Sequence, residues 1–103
     1  MVDWDRVDEL KAEIGVEDFQ EVVELFLGEV DEVVERLRTS PDTTMLEADL
    51  HSLRSSALNI GFSAFAARCG AGELAAAAGS PVDLGPIMEI YDESRLVFAR
   101  GSG

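Results

Sequence analysis

The run EDFQEVVELFLGEVDEVVERLR, residues 17–38, decides the fold class. Its apolar side chains Phe19, Val22, Val23, Phe26, Val30, Val33, Val34 and Leu37 recur at three- and four-residue spacing, the period of one helix face. Acidic residues early in the run and Arg36 and Arg38 late in it suit the helix dipole. The remaining acids (Glu21, Glu24, Glu29, Asp31, Glu32, Glu35) read as a solvated face rather than a metal site. Thr39-Ser40-Pro41-Asp42 ends the helix, and strand signals are almost absent from the whole chain.

The flanking segments repeat the helical pattern. A short first helix is expected from Asp5 to Glu13, capped by Asp3 or Asp5, with Gly15 just past its end. A third should run from Thr43 or Thr44 to Asn59, stopped by Gly61, with the apolar seam Leu46, Leu50, Leu53, Ala57 and Ile60. A fourth, Ser63 to Ala78, carries Phe65, Ala66, Cys69 and Leu74. Gly70 and Gly72 interrupt it, each costing about 1 kcal/mol relative to alanine. After the turn Gly79-Ser80-Pro81, a last helix begins near Asp83, tolerates Pro86 in its first turn, and presents Leu84, Ile87, Tyr91, Ser94 and Phe98 to the core. Four substantial helices with short connections imply an all-α, antiparallel up-down-up-down four-helix bundle with a short extra N-terminal helix as cover. One domain would span residues 1–100, with 101–103 as a flexible tail.

Composition narrows the function classes. A chain of 103 residues supports one domain with one core. Eight basic against twenty-one acidic residues give a formal charge of −13, which repels phosphate backbones and anionic lipid. Nucleic acid and membrane surfaces are therefore poor partners. Cys69 is alone, so there is no disulfide framework and no cysteine zinc site. The N-terminus has neither a basic nor an apolar signal region, and no apolar run approaches the roughly 20 residues that span a bilayer. The chain reads as soluble and cytoplasmic.

The chemistry is concentrated in HSLRSSALNIG, residues 51–61, which holds the only histidine. Imidazole is a competent neutral nucleophile near pH 7. On a wheel of roughly 100° per residue, His51 lies about 140° from the apolar seam of its helix, Ser55 about 180°, Leu58 about 120° and Arg54 about 80°. His51 therefore faces solvent rather than the core. Arg54, one turn on, supplies a permanent cation that could neutralise a phosphoryl group on a ring nitrogen. Ser55 is small and leaves the ring open to another protein, and Leu58 is an apolar side chain that a partner would cover. Together with Glu47, one turn before the histidine, they form the candidate docking surface. The plainer alternative is an incidental surface histidine, with Arg54 paired to Glu47 or Asp49.

These residues resemble the signature of histidine-containing phosphotransfer (HPt) domains of two-component phosphorelays, approximately H-x-L-K-G-S-x-x-x-[LIV]-G. His51, Leu53, Ser56, Ile60 and Gly61 match it directly. Arg54 replaces the family lysine and keeps its charge, while Ser55 replaces the family glycine. The likeness extends to Glu24-Leu25-Phe26 before the motif and to Cys69 and Glu73 after it, with Gly72 where a leucine is expected. The resemblance implies that His51 is the phosphoacceptor, loaded from a receiver-domain aspartyl phosphate, and that Arg54 stabilises the phosphoryl charge. It makes Glu73 a candidate for orienting the imidazole. It implies no metal or cofactor in this domain, with Mg2+ supplied by the receiver. The implied partners are response-regulator receiver domains and a hybrid histidine kinase, met as a monomer, with no independent kinase or hydrolase activity.

Two other readings stay open. Sensor-kinase dimerisation domains carry a motif resembling H-E-L-R-T-P-L, but Ser52 stands for its acid and Ser56 for its proline. The other is a non-catalytic acidic helical adaptor with an HPt-like fold, kept open by Ser55, Gly70 and Gly72.

Overall fold

A computed structural model describes residues 1–102. The described residues form five helices: α1 (Trp4–Ile14), α2 (Val16–Thr39), α3 (Leu46–Ile60), α4 (Ser63–Ala77) and α5 (Leu84–Ser102). No strand occurs among the described residues. The α3–α4 contact is the most extensive, α4 packs on α5, α2 meets both α3 and α5, and α1 lies on α2 and α3.

Local chemistry sets the helix ends. The Asp3 side chain caps α1 by accepting a hydrogen bond from the Arg6 backbone N–H at 3.2 Å. The third helix starts later than its periodicity suggests. Both the backbone N–H and the hydroxyl of Thr44 donate to the Asp42 carboxylate, at 3.0 and 2.7 Å. This Asx-type turn holds residues 43–45 outside the helix, so α3 begins at Leu46. At its other end Gly61 adopts φ +88°, and a Cβ there would come within 2.8 Å of the Asp3 carbonyl oxygen. Only glycine satisfies both demands. The close approach lets the Asp3 N–H donate to the Gly61 carbonyl at 2.6 Å, while the Ser63 hydroxyl donates to the Met1 carbonyl at 3.1 Å. The N-terminal segment is thus tied across the α3–α4 turn.

The core follows the expected seams with two corrections, and the C-terminus brings a third. On α2 the buried residues are Phe19, Val23, Leu27, Val30, Val34 and Leu37. Leu27 replaces Val22, which is exposed, and Phe26 and Val33 are half-buried. The apolar arc of α2 is wider than the face its neighbours cover, and Val22 falls at its edge. On α4, Leu74 is exposed, whereas Gly72 is buried. At the C-terminus α5 continues through Gly101 and Ser102, so the tail expected at 101–103 begins as helix; Gly103 lies outside the described residues. The Trp4 ring, stacked on Phe98 at 6.0 Å, lies where a Cβ on Gly101 would project. All five residues of the α3 seam are buried, as are Ile87, Tyr91, Ser94 and Phe98 on α5. The buried Ser94 hydroxyl is satisfied by donating to the Ile90 carbonyl at 2.7 Å.

Candidate functional site

The helix geometry of α3 puts His51, Arg54, Ser55 and Leu58 outside the core, all exposed, as is Glu47. The His51 side chain is 61% accessible, enough for a second protein to reach the ring. Its Nδ1 lies 2.8 Å from Oε1 of Glu73 on α4. An ionised carboxylate can only accept, so this contact selects the tautomer with hydrogen on Nδ1 and leaves a lone pair on Nε2. The other Glu73 oxygen, Oε2, is 3.9 Å from Nη1 of Arg54. One carboxylate therefore holds the ring with one oxygen and faces the cation with the other.

This triad depends on how closely α4 approaches α3. A Cβ on Gly72 would come 3.0 Å from Leu50 Cδ1 and 3.1 Å from Ile87 Cδ1. The bare backbone at Gly72 lets the helix settle against Leu50, and Glu73, the next residue, reaches across to His51. The expected alternatives for Arg54 do not form among the described residues. Asp49 is buried on the other flank of α3 and accepts from Arg36 Nη2 at 2.6 Å, and Arg54 turns toward Glu73 instead of Glu47. Burial of Asp49 escaped the sequence reading; the signal was Arg36, a cation at the end of the preceding helix.

Two features bear on chemistry. Cys69, four residues before Glu73, is fully buried. Burial, and then the charge of Glu73, push its thiol up to about 12. It stays protonated at neutral pH and is no nucleophile. The exposed Leu58 and Leu74 place apolar side chains on the solvent side of the helices that carry His51 and Glu73.

A family profile described as the Hpt domain matches residues 21–96, more than half of the 103-residue chain. The chain belongs to the Hpt family. Hpt domains serve histidine phosphotransfer in two-component signalling, and the all-helical architecture agrees with an Hpt bundle. Neither a curated relative nor a solved structure matches the chain significantly. The Hpt match contains His51, Arg54, Ser55, Leu58 and Glu73 and leaves α1 outside it. Among the described residues no helix is long and apolar enough to cross a membrane.

Proposed function

We propose that this Hpt domain is a cytoplasmic phosphorelay carrier, monomeric and spanning residues 1–100, that takes a phosphoryl group onto His51 from a receiver-domain aspartyl phosphate and passes it to another receiver. The observation that carries the reading is the 2.8 Å contact between His51 Nδ1 and Glu73, which leaves Nε2 of an exposed ring free to attack. In the transfer, the Nε2 lone pair forms the N–P bond as the P–O bond to the receiver aspartate breaks, and the aspartate leaves as carboxylate. No proton has to move. Nδ1 keeps its hydrogen and donates it in a hydrogen bond to the Glu73 carboxylate, whose charge offsets the positive charge that the ring acquires. Arg54 would balance the phosphoryl oxygens. Glu47, Ser55 and Leu58 would form the docking surface, with Ser55 small enough to admit the receiver. The Mg2+ for the step would come with the receiver, and no cofactor is needed here.

Pairings along the helices support an antiparallel up-down-up-down course. Glu73 meets His51 while Gly70 meets Arg54, so numbers fall on α4 as they rise on α3. Arg95 meets Asp31 and Asp92 meets Arg38, giving the same relation for α5 and α2.

Incubation with a phosphorylated receiver domain should give an acid-labile, base-stable label on the chain. His51→Ala should abolish it with helix content intact. Arg54→Ala should slow transfer about ten- to a hundredfold, the scale of one lost charge-assisted contact to a transferring phosphoryl group. Failure to label with any receiver tested would favour an acidic adaptor, and autophosphorylation from ATP would overturn the carrier reading.

A further inference from the structure

Gly70 sits in the middle of α4, where alanine is the better helix former, yet the helix runs through it without interruption. Its surroundings differ from those of the other glycines within the helices. Gly72 is enclosed by Leu50, Ile87 and Val82, and Gly28 on α2 has nothing within 4 Å of an added Cβ. A Cβ on Gly70 would instead come 3.3 Å from Cδ and 3.5 Å from Nε of Arg54. The arginine stem therefore crosses α4 through the notch that the missing methyl leaves. Beyond the notch, its Nη1 comes 3.9 Å from Glu73 Oε2. Gly70 and Glu73 are three residues apart, so notch and carboxylate share one face of α4.

We infer that Gly70 is a positioning residue for phosphoryl transfer: it seats Arg54 across α4 and so sets where the guanidinium stands relative to Glu73 and to a phosphoryl group on His51. This rests on His51 as the phosphoacceptor. It links the glycine in α4 to the arginine that stands in place of the family lysine. A planar guanidinium is wider than an ammonium and acts by direction as well as charge, so its seat matters more.

The test compares Gly70→Ala with Gly28→Ala, the same change at an open helical position. Two readouts are taken: the Arg54 Nε–H resonance of the unphosphorylated protein, and the rate of label transfer from a phosphorylated receiver. Gly70→Ala should move the resonance and slow transfer about tenfold, the size expected when one charge-assisted contact is misdirected, without lowering the melting temperature. Gly28→Ala should leave resonance and rate unchanged. In an Arg54→Ala background Gly70→Ala should change the rate by less than about twofold, because its effect passes through the arginine. An unmoved resonance overturns the seating. A rate equal to that of the unaltered chain, or an undiminished slowing in the Arg54→Ala background, overturns the role of Gly70 while leaving His51 as the carrier. No label on the unaltered chain overturns the His51 reading and the role of Gly70 together, and the resonance still reports whether the arginine is seated.

Discussion

The α3–α4 and α2–α5 seams solve the same packing problem in opposite ways. Small buried residues on α4, namely Ala66, Cys69 and Gly72, let it lie close against α3, and the polar groups His51, Arg54 and Glu73 meet at the outer edge. Between α2 and α5 the contact is the least extensive, and a groove floored by Phe19, Val23, Leu27, Tyr91 and Phe98 separates the helices. Long polar side chains bridge it. Arg38 donates to Asp92 at 2.6 Å, Arg95 reaches both oxygens of Asp31 at 2.7 and 2.8 Å, and the Tyr91 hydroxyl donates to the same carboxylate. The 2.8 Å contact between His51 and Glu73 lies on the seam whose spacing is fixed by van der Waals contact. The wider seam is spanned by long side chains that can adjust, and the exposed Arg38–Asp92 pair among them is open to screening by salt.

The strongest way to break this contrast is to widen the close seam. Gly72→Leu inserts the side chain that the Hpt pattern expects, where a Cβ alone already meets Leu50 and Ile87 at 3.0 and 3.1 Å. Overpacking should outweigh the gain from removing a helical glycine, with a net loss of about 1–3 kcal/mol in denaturant unfolding. Because α4 must shift, the His51–Glu73 contact should lengthen and transfer should fall about tenfold or more. A Gly72→Leu protein of full stability and full transfer would mean that the seam is not tight.

Much of this is legible in the sequence. The three-four spacing of Leu46, Leu50, Leu53, Ala57 and Ile60 fixed the buried face of α3, and with it the exposure of His51, Ser55 and Leu58. What stayed hidden depends on the distance between helices, which periodicity does not encode. The glycines at 70 and 72 read as weaknesses of a helix because their benefit lies in what α3 places against them. Glu73 could be named only through the family resemblance, since nothing local says which residue of α3 it faces. Leu74 is apolar yet exposed, and Gly72 holds the buried position, a choice that hydrophobicity alone does not reveal.

An intermediate effect is expected from Tyr91, the only tyrosine in the chain. Burial, and then the hydrogen bond it donates to Asp31, raise its phenol above the ordinary value of about 10. The fold thus favours the protonated form. That contribution is complete below about pH 10 and is lost as the pH rises from there through the higher folded value. Absorbance near 295 nm should show no tyrosinate at about pH 10–11 while the helices persist, and its appearance should coincide with unfolding. Tyr91→Phe leaves Asp31 with Arg95 and should cost about 0.5–1.5 kcal/mol, with transfer unchanged. Half-ionisation near pH 10 in the folded protein would show that this tie is open to water.

The smallest effect belongs to Arg38, and it separates the two seams most clearly. Its contact with Asp92 is short, but the two side chains are 34% and 58% exposed, so solvent screens the attraction. Arg38→Ala should therefore lower stability by no more than about 1 kcal/mol, and about 0.5 M salt should remove most of that difference. Transfer from a receiver should not change, because the pair lies on α2 and α5, away from His51 and Glu73. Arg54→Ala should invert the pattern: an exposed arginine whose loss barely moves the unfolding curve but slows transfer strongly. A loss of more than about 2 kcal/mol on Arg38→Ala, undiminished by salt, would place it outside the range of exposed pairs. The polar ties would then be structural in their own right, and the wide seam would be as firmly set as the one that carries the histidine.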